Sequence, residues 1–174
     1  MLEKELEVPG EQLLLCAEQT LYMLFVSLAI GTALAIILAV VLVLTSGNGI
    51  LRNKAVYTVL NTVINVIRSI PFIILMVLVM PLTKAIVGTR IGTTAALIPL
   101  VMNVTPYLTR LFENSFLDVD RGIIEAAQSM GASYFEIVRY FLLPEAKGSL
   151  ILSVTTGSIS LLGATAMADA IGAG

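Results

Sequence analysis

Side chains able to do acid–base or nucleophilic chemistry are scarce in this chain. It has no histidine and a single cysteine, Cys16, so the commonest general base and metal ligand is missing and no intrachain disulfide can form. It also lacks a G-x-x-x-x-G-K-[ST] phosphate loop. No catalytic residue, metal or cofactor is therefore assigned. What stands out instead is one charge-bearing stretch, Asp118–Pro144, set between long apolar runs. Asp118 or Asp120 is placed to cap a short helix carrying Ile123, Ile124, Ala126, Ala127 and Met130. Gly131 suits a C-terminal stop, since glycine accepts the left-handed conformation. Ser133 and Glu136 then make an S-x-x-E capping box for a second helix with Phe135, Ile137, Val138, Phe141 and Leu142 on its apolar side, and Pro144 marks the exit. Such a helix–glycine–helix element presents charge and shape for contact. From the residues alone, a surface hairpin with no partner fits the pattern too.

The rest of the chain says where this element sits. Of 174 residues, 57% are hydrophobic and 13% charged, against roughly 25% charged in a soluble domain; the excess apolar surface needs lipid. Net charge is −2, which gives no case for nucleic-acid binding. Residues 1–16 form an acidic segment with Glu3, Glu5, Glu7 and Glu11, unlike the basic start of a cleaved signal peptide.

Four membrane spans are expected. Thr20–Leu44 is 25 residues without a charge, about 37 Å of helix at ~1.5 Å per residue, and a hydrocarbon core needs about 20 residues. Ser27, Gly31, Ala35 and Ala39 recur every fourth position along it, a smooth stripe for close helix approach. Val56–Ile67 follows, with Thr58, Asn61, Thr62, Asn65 and Ser69 on one helical face; it reads either as an interfacial helix or as the first half of a long second span. Arg68 and Pro71 interrupt the pattern, so the second span runs from about Ile70 to Val87. The third is Ile91–Thr109, disturbed by Pro99 and Pro106, with Asn103 between them. The fourth is Leu150–Ala168, rich in small and hydroxyl residues. Thr156, Ser160, Ala164 and Ala168 form one row on it, and Ser149, Ser153 and Gly157 another. The first row is the expected solute path, with Asn103, and Leu161 is expected to face lipid.

Basic residues near the spans set the orientation. With the N-terminus outside, seven (Arg52, Lys54, Arg68, Arg110, Arg121, Arg139, Lys147) lie inside and three (Lys4, Lys84, Arg90) outside. Residues 110–148 are thus expected in the cytoplasm.

Glu125-Ala126-Ala127, Gly131 after three intervening residues, and Leu143-Pro144 resemble the EAA loop of type I ABC-importer permeases. Phe141 stands where that motif usually has Ile and keeps an apolar anchor. RSIPFIIL (Arg68–Leu75), VGTRIGTTAALIPL (Val87–Leu100) and LPEAKGSL (Leu143–Leu150) are similar to the methionine-importer branch. The resemblance covers about residues 17–174 and implies an all-α integral membrane protein: a transmembrane domain with a cytoplasmic coupling loop at 118–144. It further implies a multi-pass subunit of the bacterial inner membrane, present as a homodimer, with ABC ATPase subunits docked on the loop and an extracytoplasmic binding protein delivering solute. ATP hydrolysis would reside on the ATPase, and Glu125, Ala126, Ala127, Gly131, Phe141, Leu143 and Pro144 would form the docking region. This branch has five spans and continues beyond the position of Gly174, so a C-terminally incomplete domain is expected.

Methionine is the expected solute. No charge is expected within the spans, which favours a neutral, apolar side chain. A permease for another amino acid or small solute is the alternative, and a non-transporting membrane anchor is the second.

Overall fold

A computed structural model describes residues 10–169, and the expectations for residues 1–9 and 170–174 lie outside the described residues. The described chain is helical throughout, in the order α1 (Gly10–Thr45), α2 (Lys54–Ser69), α3 (Phe72–Val87), α4 (Thr93–Leu117), α5 (Arg121–Ser129), α6 (Tyr134–Glu136), a π-helical turn (Ile137–Leu142) and α7 (Leu143–Asp169). Three helical stretches are long and apolar enough to cross a membrane: α1, α4, and the continuous run from Tyr134 to Asp169. The pair α2–α3, bent by 113° at the break between them, makes a fourth when the two helices are counted as one broken span.

The bend follows from Pro71. Proline pushes the preceding residue out of the helical region, and Ile70 is extended, with φ −86° and ψ 123°. Val56–Ile67 therefore lies in a helix set at a steep angle to α3 and does not continue straight into it. The face with Asn61 and Asn65 is turned toward α4, where both meet Arg110.

Helix α4 is the hub, packing on α1, α3 and α7. The small stripe of α1 is its contact surface: Ser27, Gly31, Ala35 and Ala39 are all buried. A Cβ on Gly31 would overlap the Val104 side chain, so the two backbones approach as closely as the residue types permit. Pro99 and Pro106 sit buried inside α4, packed by neighbours, and Asn103 between them is half-buried.

Four expectations are corrected. The third span does not stop at Thr109: α4 runs on to Leu117 and carries Arg110 and Glu113 within it. Arg110 and Glu113 thus fall in the part of α4 beyond the expected span, at its hairpin end. The row Thr156–Ala168 does not stay on one face. Steps of four overshoot the 3.6-residue turn by about 40° each, so Thr156 and Ser160 are exposed while Ala164 and Ala168 are buried. Leu161 does not face outward; it is 0% exposed, because it continues the row of Ser153 and Gly157 that packs on α4. Finally, Pro144 does not end a helix. The π turn just before it widens the backbone where the proline ring would meet the preceding turn, and the helix continues into α7.

Candidate coupling site

The hairpin between α4 and α7 is built by local chemistry. Asp120 caps α5 by accepting a hydrogen bond from the Gly122 N–H at 2.6 Å, satisfying one of the free donors of the first turn. At the other end, the Ala132 N–H donates to the Ala127 carbonyl at 3.1 Å and the Gly131 N–H to the Gln128 carbonyl at 2.9 Å. This pair of bonds is a Schellman closure, which requires a left-handed residue after the cap. Gly131 supplies it with φ +81°, and nothing lies within 4 Å of where a Cβ would be. The turn needs glycine for its backbone, not for space.

Ser133 then starts the second helix with a complete capping box. Its backbone N–H donates to Glu136 Oε2 at 2.8 Å, its hydroxyl donates to the same oxygen at 2.7 Å, and the Glu136 N–H lies 3.4 Å from Ser133 Oγ. The Ser133 hydroxyl, and then its backbone N–H, hold the Glu136 carboxyl below its ordinary value of 4.5.

The seven residues expected at the docking region fall into two groups. Glu125, Ala126, Gly131 and Pro144 are exposed. Ala127 is fully buried, and Phe141 and Leu143 are half-buried, so these three hold the hairpin together from beneath. Phe135 and Met130 are each 72% exposed. Tyr134 and Tyr140 are also exposed, and sequence reasoning left both unassigned. The hairpin thus offers an outer face with an aromatic and a methionine side chain around an exposed glycine turn. Large apolar residues in the open, next to charge, are the composition of a contact surface.

The solute-path residues are less gathered. Thr156 and Ser160 lie on the outer face of α7, Ala164 is buried, and Asn103 is half-buried on α4. They share no cavity with one another among the described residues. The second hydroxyl row is instead structural: Ser115 of α4 meets Ser149 at 2.8 Å and Ser153 at 3.3 Å, fastening the hairpin end of α4 to α7.

With that geometry in place, the comparisons decide the family. The family described as "Binding-protein-dependent transport system inner membrane component" matches residues 31–174. The chain belongs to this family. It is thus a multi-pass inner-membrane component of a transport system. A protein of Vibrio cholerae named "Probable D-methionine transport system permease protein MetI" is 46% identical over 165 residues, covering 95% of this chain and 73% of that protein. The Escherichia coli D-methionine transport system permease protein MetI is 42% identical over 149 residues, covering 86% and 69%. Among solved structures, an inward-facing MetNI methionine ABC transporter matches with a TM-score of 0.94 at 40% identity, over 97% of this chain and 78% of the solved one. An amino acid ABC transporter solved with histidines matches with a TM-score of 0.68 at 25% identity, over 87% and 68%.

Proposed function

We propose that this chain is the permease subunit of an ATP-driven importer for methionine, and that it couples to a separate ATPase through the Asp118–Pro144 hairpin. The observation that carries the reading is the hairpin itself. Its turn is closed by Gly131, its second helix is locked by Ser133 and Glu136, and it keeps Phe135, Met130 and Tyr140 in the open. A rigid element with exposed apolar anchors transmits force to whatever it docks against. Glu125 and Gly131 meet the ATPase directly, while Ala127, Phe141 and Leu143 keep the hairpin stiff.

Two copies of the chain form the pore. Thr156 and Ser160 line the gap between them, and an extracytoplasmic binding protein delivers solute to it. Methionine as the solute rests on the named relatives and on the fold shared with the methionine transporter.

The test is uptake into proteoliposomes containing the permease with its ATPase and binding protein. ATP-dependent accumulation of labelled methionine is expected. Accumulation of a different amino acid in its place would move the solute assignment, and the absence of ATP-dependent uptake of any amino acid would overturn the reading.

A further inference from the structure

One polar cluster lies away from the hairpin and its function is not explained by docking. Arg110, seven residues before the end of α4, donates from Nη1 to Glu113 Oε2. Its Nη2 donates to Asn65 Oδ1 at 2.9 Å, to the Asn61 carbonyl at 3.3 Å and to Asn61 Oδ1. The Arg110 side chain is 16% exposed and that of Glu113 is 7% exposed, so this pair is largely shielded from solvent. Charges shielded this far are costly to keep unless they are paired and their remaining donors are hydrogen-bonded.

The surroundings indicate what the cluster does. Helix α2 buries a single residue, Ile64, so its apolar attachment to the bundle is thin. The Arg110 guanidinium is its polar fastening: Nη2 reaches Asn61 and Asn65, one turn apart on either side of Ile64, while Nη1 stays on Glu113. Helix α4, on the other side of the fork, leads directly through Asp118 and Asp120 into the coupling helix α5. Helix α2 in turn joins α3 through the 113° bend at Ile70–Pro71. A guanidinium with donors in a fixed planar fork holds two acceptors in register, and an ammonium does not.

We propose that Arg110, set by Glu113, is a positioning residue for transport: it locks α2 to the hairpin end of α4, so that movement of the coupling helix carries the bent α2–α3 pair with it. This rests on the proposed function, since it needs an ATPase to drive the hairpin. Without the clamp, α4 would move and α2 would lag. ATP would be hydrolysed without solute being moved in proportion.

The readout is therefore a ratio, ATP hydrolysed per methionine taken up, in proteoliposomes of the whole complex. The double variant Asn61→Ala/Asn65→Ala removes the side-chain acceptors and leaves the Arg110–Glu113 pair in place. Arg110→Lys keeps the charge beside Glu113 and loses the fork. Each variant is expected to assemble and to keep ATP hydrolysis within about twofold of wild type, while uptake falls about tenfold, so that the ratio rises. A ratio within twofold of wild type in both variants would overturn the clamp, whether uptake and hydrolysis are both unchanged or fall together. Failure of both variants to assemble would also overturn it, by making the cluster a folding requirement only. If wild type itself shows no coupled uptake, the proposed function fails, and that outcome is seen before any variant is compared.

Discussion

Leu108 of α4 lies against the backbone of α7 at Gly157, where a Cβ would overlap the leucine's side chain. Leu108 is 0% exposed and Gly157 is buried, so neither has room to retreat. Lipid offers little hydrophobic drive for helices to associate, and close packing does that work instead. The same relationship holds Gly31 of α1 against Val104. The bundle is held by two places where glycine lets a branched side chain in.

Gly157→Val should therefore destabilise the α4–α7 contact by about 1–3 kcal/mol, the usual cost of overpacking. A lowered melting temperature in detergent checks it. Gly163→Ala, where nothing lies within 4 Å of the added Cβ, should leave that temperature unchanged.

Much of this was legible beforehand, and the reasons differ by element. The α1 stripe could be read because Ser27, Gly31, Ala35 and Ala39 make the longest run of small residues at every fourth position in that helix. The hairpin caps could be read because Asp120, Gly131 and Ser133–Glu136 act through their own backbone neighbours. Rotation of α7 could not, because a helix apolar on every side gives no signal about which face meets a neighbour. That is why Leu161 was placed in lipid. The exposure of Phe135 was not legible for a related reason: apolar periodicity marks a face without saying whether the fold covers it. The Arg110 clamp was hidden because its partners Asn61 and Asn65 lie far away in sequence.

The capping box predicts a pH dependence. Glu136 has a lowered folded value, so its contribution to the second helix is present above its ordinary value of 4.5 and lost as pH falls through the folded one. Carbon-13 titration of the Glu136 carboxyl should show a midpoint below the ordinary value. In Ser133→Ala, which removes the largest cause of the lowering, the midpoint should move back up.

Orientation can be read with the chain's own thiol. Cys16 is exposed near the start of α1, and the count of seven inner against three outer basic residues predicts that end outside. An impermeant thiol reagent should label Cys16 in intact spheroplasts. In Cys16→Ser, a cysteine introduced at Ser129 of the hairpin should be labelled only after the membrane is permeabilised. Ready labelling at Ser129 in intact spheroplasts would reverse the topology.

The most direct test of the account measures whether the hairpin transmits anything. Gly131→Leu forces a side chain into a left-handed turn, at a cost of ~1–2 kcal/mol, while the open space around it leaves the spans undisturbed. Glu125→Lys reverses an exposed charge on α5, a change worth well under ~1 kcal/mol to the helix itself. ATP hydrolysis stimulated by the loaded binding protein should be measured in reconstituted complexes of wild type and each variant. Stimulation is expected in wild type and its loss in both variants, at equal permease content. Full stimulation in both would contradict the hairpin's role as the coupling element.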